Sequence, residues 1–192
     1  MKLTKVLLLF VAVFGGVCLM GGCLLYRGYN RVIQFDEEVK AGWAEVENQL
    51  QRRFDLIPNV METVKGFAGQ EEKILLGVAE ARKAYFGAGS IAEKASAATT
   101  FHSTLMPMMR LQETYPELKS NENFMRLQDE LSGTENRLGV SRMRYNEKVK
   151  RLNSYVRGLA GRFYAGLADV EKAEYFEISE ATKEVPKIDF SG

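Results

Sequence analysis

The chain has 192 residues, enough for one domain of ordinary size and a membrane or targeting segment but short for two folded domains. Its 26 lysines and arginines nearly balance 25 aspartates and glutamates, so a net charge of +1 lacks the basic excess of nucleic-acid-binding proteins, and we expect no nucleic-acid partner. The two cysteines, Cys18 and Cys23, lie in an apolar N-terminal segment, so the rest of the chain has no thiolate metal ligands.

An uncharged apolar run opens the chain over residues 6–25. It has about the 20 residues that a helix needs to cross the hydrocarbon core of a membrane. Lys2 and Lys5 precede the run, which predicts a cytoplasmic N-terminus, although Arg27 beyond it weakens the asymmetry. We therefore predict a single-pass anchor over residues 1–28, with the following domain on the extracytoplasmic side.

A lipid anchor is the alternative for this segment. The sequence LMGGC over residues 19–23 resembles the lipobox of bacterial lipoproteins, in which cleavage of the signal leaves a lipidated cysteine at the new N-terminus. Cys23 would be that cysteine. Either anchor tethers the domain to a membrane.

From residue 30 onward, apolar residues recur at helical spacing, and no sustained alternation predicts strands. The first stripe keeps its phase across Pro58, which favours one long helix that kinks at this proline over a break with Asp55 as the N-cap of a new helix. Gly66 and Gly69 mark its expected end. The inward residues of this stripe are Val32, Phe35, Val39, Trp43, Val46, Leu50, Phe54, Ile57, Met61, Val64 and Phe67.

Three further helices are predicted. The second covers residues 70–85. Ser90 and Glu93 form a capping box that begins the third helix, which carries His102 and Met109 inward and ends before Tyr115. Ser120 is the predicted N-cap of the fourth, which matches the first in length.

Four helices joined by short connections predict an all-α fold, an antiparallel up-and-down bundle over residues 29–168. In this arrangement the first and last helices are antiparallel neighbours. An irregular tail follows over residues 169–192. A long dimeric coiled coil is the rival architecture, which the glycines at 87 and 89 disfavour.

Polar residues lie on the inner face of the first and last helices. Laid antiparallel and centred, these helices bring together residues whose numbers sum to about 188. Arg53 then meets Glu135, Arg52 lies near Asn136, and Trp43 lies near Arg142 and Tyr145. The candidate residues of this polar network are Trp43, Arg52, Arg53, Asp55, Asn59, Glu135, Asn136, Arg142, Tyr145 and Asn146.

Two interpretations of this network are open. Buried polar groups fix helix register in some bundles, which is a structural role. Alternatively the network is a docking or ligand site, since arginine can bind a carboxylate through two parallel hydrogen bonds.

Residues for catalysis are sparse. His102, the only histidine, lies mid-stripe and is predicted to pack rather than to act as a base. Met106, Met108 and Met109 flank Pro107, which favours helix packing over metal binding. We expect no catalytic residue, no metal and no cofactor.

Beyond the anchor, the order and spacing of these motifs resemble the LemA family. The elements that carry the resemblance are residues 29–30, 36–43 (DEEVKAGW), 49–59 (QLQRRFDLIPN), 62–66, 79–82, 115–119, 121–124, 130–131, 134–137, 142–146 (RMRYN) and Asn153. After Asn153 the usual proline-containing stretch is replaced by residues 154–164, which leaves the end of the fourth helix open. Family-like residues return at 175–177 and at 185–190, where Pro186 suggests an extended segment on the bundle.

The resemblance implies a helical bundle anchored in the bacterial cell membrane, and it supplies no reaction. Family members occur alongside membrane metalloproteases and other envelope proteins, and one magnetosome-associated relative points to membrane organisation. We therefore expect a non-enzymatic accessory or scaffold for another membrane or envelope protein, a metalloprotease being one candidate. A self-assembling structural protein that forms homo-oligomers is the alternative, and an enzyme with its pocket in the polar network is a third.

Overall fold

The computed structural model describes the backbone of residues 2–177 and the side chains of residue 10 and residues 13–177. Within that range the protein is all-helical and has no strand, as predicted. The helices are α1 Lys2–Ala68, α2 Glu72–Gly87, α3 Ile91–Thr114, α4 Pro116–Lys119, α5 Glu122–Arg157 and α6 Leu159–Ala168.

The chain divides into two compact units. The first unit takes the chain up to Ala41 together with Glu147–Ala173. The second unit takes Gly42–Asn146 together with the described residues from Glu174 onward. The helices α1 and α5 each contribute residues to both units.

The long first helix continues through Pro58, whose ring is exposed. A helix break with Asp55 as N-cap is therefore wrong: the Asp55 carboxylate instead accepts a hydrogen bond from Gln51 Nε2 at 2.7 Å, one turn earlier in the same helix. The kink at Pro58 stays a prediction. α1 ends at Ala68, beside the glycine that was expected to stop it.

In the second unit, α1 and α5 run antiparallel: as residue numbers increase along α1, the numbers of their contact partners on α5 decrease. Trp43 contacts Tyr145 with ring centroids 5.5 Å apart, Glu45 accepts a hydrogen bond from Ser141 at 3.4 Å, and Arg53 bonds Glu135. Phe54, which has no exposed surface, packs against Phe101 and Tyr85 with centroids 4.5 and 4.6 Å apart. This aromatic cluster joins α1, α2 and α3.

The predicted stripes are confirmed over most of their length and differ by one residue at a few positions. On α1, Val60 and Ala68 are buried where Met61 and Phe67 were expected, and Phe67 is 41% exposed. On α3, Phe101 and Met108 are buried in place of His102 and Met109. Adjacent residues on a helix lie about 100° apart, so a broad apolar face accepts either neighbour, and only the position of the packing partner decides between them.

The capping box that begins α3 is confirmed. The Glu93 amide donates to Ser90 Oγ at 3.1 Å, and the Ser90 amide donates to Glu93 Oε2 at 3.1 Å. Ser120 as the N-cap of α5 is wrong. The side chain of Asn121 accepts from the Phe124 amide at 3.0 Å instead, since the short helix α4, which the sequence pattern did not reveal, ends at Lys119 and shifts the next start.

In the first unit, α5 ends at Arg157 and a separate helix, α6, follows after Gly158. Phe35 of α1 packs edge-on against Tyr155 of α5, with centroids 5.4 Å apart. α6 approaches its neighbours closely: a Cβ on Gly161 would lie 1.9 Å from the backbone oxygen of Tyr155. The departure from the family pattern after Asn153 therefore coincides with a helix boundary.

Among the residues that the structure describes, no helix is both long and apolar enough to cross a membrane. In the predicted anchor, residue 1 and the side chains of residues 2–9, 11 and 12 lie outside the described residues. In the predicted tail, residues 178–192 lie outside them, including Pro186.

Two glycine substitutions in α6 test this packing. Gly161→Ala forces a methyl group onto the Tyr155 backbone, so we expect α6 to lose about 1–3 kcal/mol of local stability. Gly166→Ala meets nothing within 4 Å and should gain up to about 1 kcal/mol from helix propensity. Hydrogen exchange of the α6 amides, followed by mass spectrometry, measures both. Equal exchange in the two variants would contradict the close contact.

Candidate functional site

A group of charged side chains lies inside the second unit, and we call Arg53, His102, Glu135 and Arg142 the polar cluster. One carboxylate is at its centre. Arg53 Nη1 donates to Glu135 Oε2, and Arg142 Nη2 donates to Glu135 Oε1 at 3.3 Å. The antiparallel pairing of α1 and α5 therefore brings Arg53 to Glu135, as the sequence indicated.

Arg53 is the most buried charge of the cluster, at 4% exposure. It lies on the inner stripe of α1 between Leu50 and Phe54, both of which are buried. Its guanidinium carbon also lies 5.7 Å from the centroid of the Phe101 ring, a cation–π distance. Burial without a counter-charge would cost several kcal/mol, so Glu135 is a structural requirement of this position.

His102 joins the cluster from α3. Its Nδ1 lies 3.1 Å from Arg53 Nη2 and 3.5 Å from Glu135 Oε2. Neutral imidazole can accept at Nδ1 from Arg53, whereas protonated imidazole donates from Nδ1 to Glu135. The prediction that His102 is an inward residue of α3 is therefore wrong: the side chain is 40% exposed and faces two charges.

The cluster changes the acidity of its members. The hydrogen bond from His102, together with the positive charges of Arg53 and Arg142, lowers the pKa of Glu135 to about 2, against a desolvation effect that raises it. Burial and the nearby Arg142 lower the pKa of Arg53, while Glu135 acts to raise it. Glu135 thus stays a carboxylate at neutral pH, which makes it a weak base.

A cavity of about 270 Å³ opens beside the cluster. Its wall contains both apolar and polar side chains. Two residues of the lining, Arg53 and Gln128, each have a buried side-chain atom, Nε and Oε1 respectively, that has no hydrogen-bond partner within the described part of the chain. The lining includes Arg53, His102, Leu105, Met106, Met109, Gln128, Leu131, Ser132, Glu135 and Asn136.

Other predicted residues hold the chain that follows Ala173. Tyr145 Oη donates to the carbonyl of Glu174 at 2.7 Å. Asn146 forms two bonds with Phe176: its Nδ2 donates to the carbonyl at 3.0 Å, and the Phe176 amide donates to Oδ1 at 2.9 Å. Burial raises the pKa of Tyr145 to about 12. These contacts of Tyr145 and Asn146 with the tail were not predicted, because hydrogen bonds from a side chain to a distant backbone leave no periodic pattern in the sequence.

Phe176, which is buried, completes an aromatic group in the second unit. Its ring centroid lies 6.2 Å from that of Trp43 and 5.4 Å from the Arg142 guanidinium carbon. Arg142 therefore links Glu135 of the polar cluster to the docked tail. In the first unit, Asn153 makes the same pair of bonds with the backbone of Ala173, each 2.9 Å long.

Four predicted residues are exposed and remain outside the polar cluster. Arg52 faces solvent because it lies about 100° around the helix from Arg53, and its expected approach to Asn136 stays a prediction. Asn136 lines the cavity. Asp55 bonds Gln51, and the backbone carbonyl of Asn59 accepts a bond from Thr63 Oγ1 at 2.9 Å. Among described residues, no group of three or more histidines, cysteines, aspartates and glutamates could hold a metal ion.

Fold and site together define a helical-bundle protein with an internal polar cluster and a docked C-terminal segment. The sequence matches the model of the LemA family over residues 42–190, well over half of the chain, so the protein belongs to the LemA family. A search of curated proteins finds no match to the chain.

Charge reversal tests the buried pair. Arg53→Glu places a second carboxylate against Glu135, and we expect it to destabilise the protein by about 3–5 kcal/mol. Adding Glu135→Arg should restore part of the loss, and only part, because the new arginine would face Arg142 and His102. Chemical unfolding followed by circular dichroism measures the free energies.

The neighbouring arginine supplies the control. Arg52→Glu makes the same chemical change at an exposed position, where we expect a change within about 0.5 kcal/mol. Equal losses at positions 52 and 53, or a double variant no more stable than Arg53→Glu, would contradict the assigned pairing.

Acid should weaken the cluster in a defined pH range. The pKa of Glu135 is about 2 in the folded protein against an ordinary value of 4.5, so the unfolded chain takes up the proton first as pH falls. This stabilisation, at most about 3 kcal/mol, is present above pH 4.5 and is lost toward pH 2. We expect the unfolding free energies of wild type and Glu135→Gln to converge over this range. A difference that stays constant from pH 6 to pH 2 would contradict it.

Proposed function

We propose that this LemA-family protein is a non-enzymatic accessory protein, tethered to the bacterial cell membrane, that docks a peptide segment of another membrane or envelope protein. The observation that carries the proposal is a change of burial along α1. Large apolar side chains are exposed near its N-terminus, including Phe10 at 69%, Phe14 at 71% and Leu19 at 78%. From Val32 onward the inner stripe is buried.

An apolar partner would cover the exposed segment. Full burial of a large apolar side chain is worth about 1.5–3 kcal/mol, so several such residues side by side favour removal from water. A bilayer supplies that environment, with the early lysines on the cytoplasmic side and the bundle outside. Cys23, which is exposed and free, keeps lipidation as the alternative means of attachment.

The cavity beside the polar cluster supports peptide docking. A peptide group offers one acceptor and one donor, and the exposed side-chain amide of Asn136 in the cavity lining offers the complementary donor and acceptor. Methionine side chains adapt to differently shaped apolar groups, and Met106 and Met109 form part of the wall. Membrane metalloproteases are one class of partner, suggested by family resemblance.

The chemistry of the cluster supports binding rather than catalysis. Both oxygens of Glu135 already accept bonds from arginines, and its low pKa makes it a poor proton acceptor. His102 lies with Nδ1 against the same groups. Because the charges of the polar cluster are paired with one another, the cluster suits a rigid binding surface better than proton transfer.

Two methionine variants test the proposal in the full chain. Met106 and Met125 have nearly equal exposure, 40% and 38%, but only Met106 lines the cavity. Tagged wild type, Met106→Glu and Met125→Glu are isolated from mildly solubilised membranes, and enriched proteins are identified by mass spectrometry. We expect one discrete membrane protein to be retained by wild type and Met125→Glu and lost by Met106→Glu.

The outcomes separate the alternatives. Release of the protein from membranes by alkaline carbonate would contradict the tether. Recovery of the protein with only copies of itself would favour a self-assembling structural protein. Circular dichroism of both variants confirms that they remain folded.

A further inference from the structure

The short helix α6 presents an apolar face to the exterior of the first unit. Leu159, Phe163 and Leu167 are spaced four residues apart and therefore lie on one side of the helix. They are 95%, 56% and 56% exposed. Gly161 and Ala165, on the opposite side, are buried. α6 thus has one face packed on the protein and a second apolar face that no described residue covers.

α6 is fixed at a defined level of α1. The ring of Tyr164 lies on Gly28, where an added Cβ would be 2.2 Å from the ring atoms. Tyr164 Oη also donates to the carbonyl of Leu24 at 3.4 Å. These contacts place α6 beside residues 24–28, where the exposed apolar side chains of α1 include Leu24 and Leu25. The apolar face of α6 therefore lies at the same level as exposed apolar residues of α1.

We propose that α6 is an interfacial helix that lies in the headgroup region of an anionic membrane, with Leu159, Phe163 and Leu167 in the outer acyl layer. The inference rests on the proposed membrane tether and adds a second contact with lipid. Interfacial helices of this kind are buried by about 5–10 Å, which suits a short helix lying flat.

The positive charge of the region around α6 favours a lipid surface, rather than a second copy of the chain, as the partner of its apolar face. Residues 1–35 and 148–168 contain nine lysines and arginines and no aspartate or glutamate. Arg27, Arg31, Arg157 and Arg162 are exposed, and Arg162 is on α6 itself. Basic residues near a surface gain about 1 kcal/mol each from anionic lipids, whereas two copies meeting through this region would repel each other.

Aromatic residues at the same level favour the same partner. Tyr26 is 70% exposed and Tyr29 is 39% exposed, just beyond the apolar run of α1. Tyrosine prefers the boundary between headgroups and acyl chains, where its ring is in an apolar layer and its hydroxyl remains hydrated.

A single tryptophan placed on α6 measures its depth. The full chain carrying Trp43→Phe, which removes the one native tryptophan, and Phe163→Trp is reconstituted into phosphatidylglycerol–phosphatidylcholine vesicles. Lipids brominated at different acyl positions quench tryptophan by contact. We expect quenching to be strongest with bromines near the start of the acyl chain, because interfacial helices insert only about 5–10 Å.

The matched control uses Met143→Trp in the same Trp43→Phe background. Met143 is 58% exposed, close to the 56% of Phe163, but it belongs to the second unit. We expect several-fold weaker quenching at position 143. Equal quenching at both positions would overturn the inference.

The remaining outcomes distinguish this inference from the tether. If the protein floats with the vesicles but tryptophan at position 163 is not quenched, the proposed interfacial helix is wrong and the tether stands. Blue-shifted but unquenched emission would show that protein rather than lipid covers position 163, and would overturn the inference. Failure to float would overturn both, since the helix could not then reach the lipid.

Discussion

The structure of the second unit depends on one buried charge. Arg53 lies on the inner stripe of α1 and has almost no exposed surface, so its guanidinium requires compensation wherever the helices pack. Glu135 supplies the counter-charge from α5, and a slide of either helix by one turn would separate the two. The pair therefore fixes the register of α1 against α5. Apolar stripes alone would tolerate several registers, because one leucine or valine can replace another in the same contact.

The other members of the cluster extend this constraint. His102 connects the pair to α3, and Arg142 connects Glu135 to the ring of Phe176 in the C-terminal segment. Asn146 then holds the backbone of Phe176 by two hydrogen bonds. One carboxylate is thus the common partner of groups from three helices. A cavity beside such a rigid frame keeps its polar lining residues in place, which is the property that a docking site requires.

A different constraint acts on the first unit, where apolar surface remains exposed on α1 and α6. Glycines allow two close contacts in this unit: the ring of Tyr164 lies on Gly28, and Gly161 lies against the backbone of Tyr155. Because the small residues of α6 face the protein, its bulky apolar side chains face outward. Exposed apolar side chains of this kind, beside the basic residues of segments 1–35 and 148–168, suit a membrane surface better than water or a second basic surface.

The sequence by itself determined the helical class, the continuous first helix, the capping box of α3 and the pairing of Arg53 with Glu135. Helical periodicity, cap chemistry and the even rise of two antiparallel helices are local or linear properties, so they can be extracted from residue order. Only the tertiary structure decided that His102 faces charge, that Phe101 and Met108 are the buried residues of α3, and that Asn146 holds the tail. Each depends on the rotation of one helix about its axis or on contact with a distant backbone, and neither quantity is encoded in the spacing of residues along a single segment.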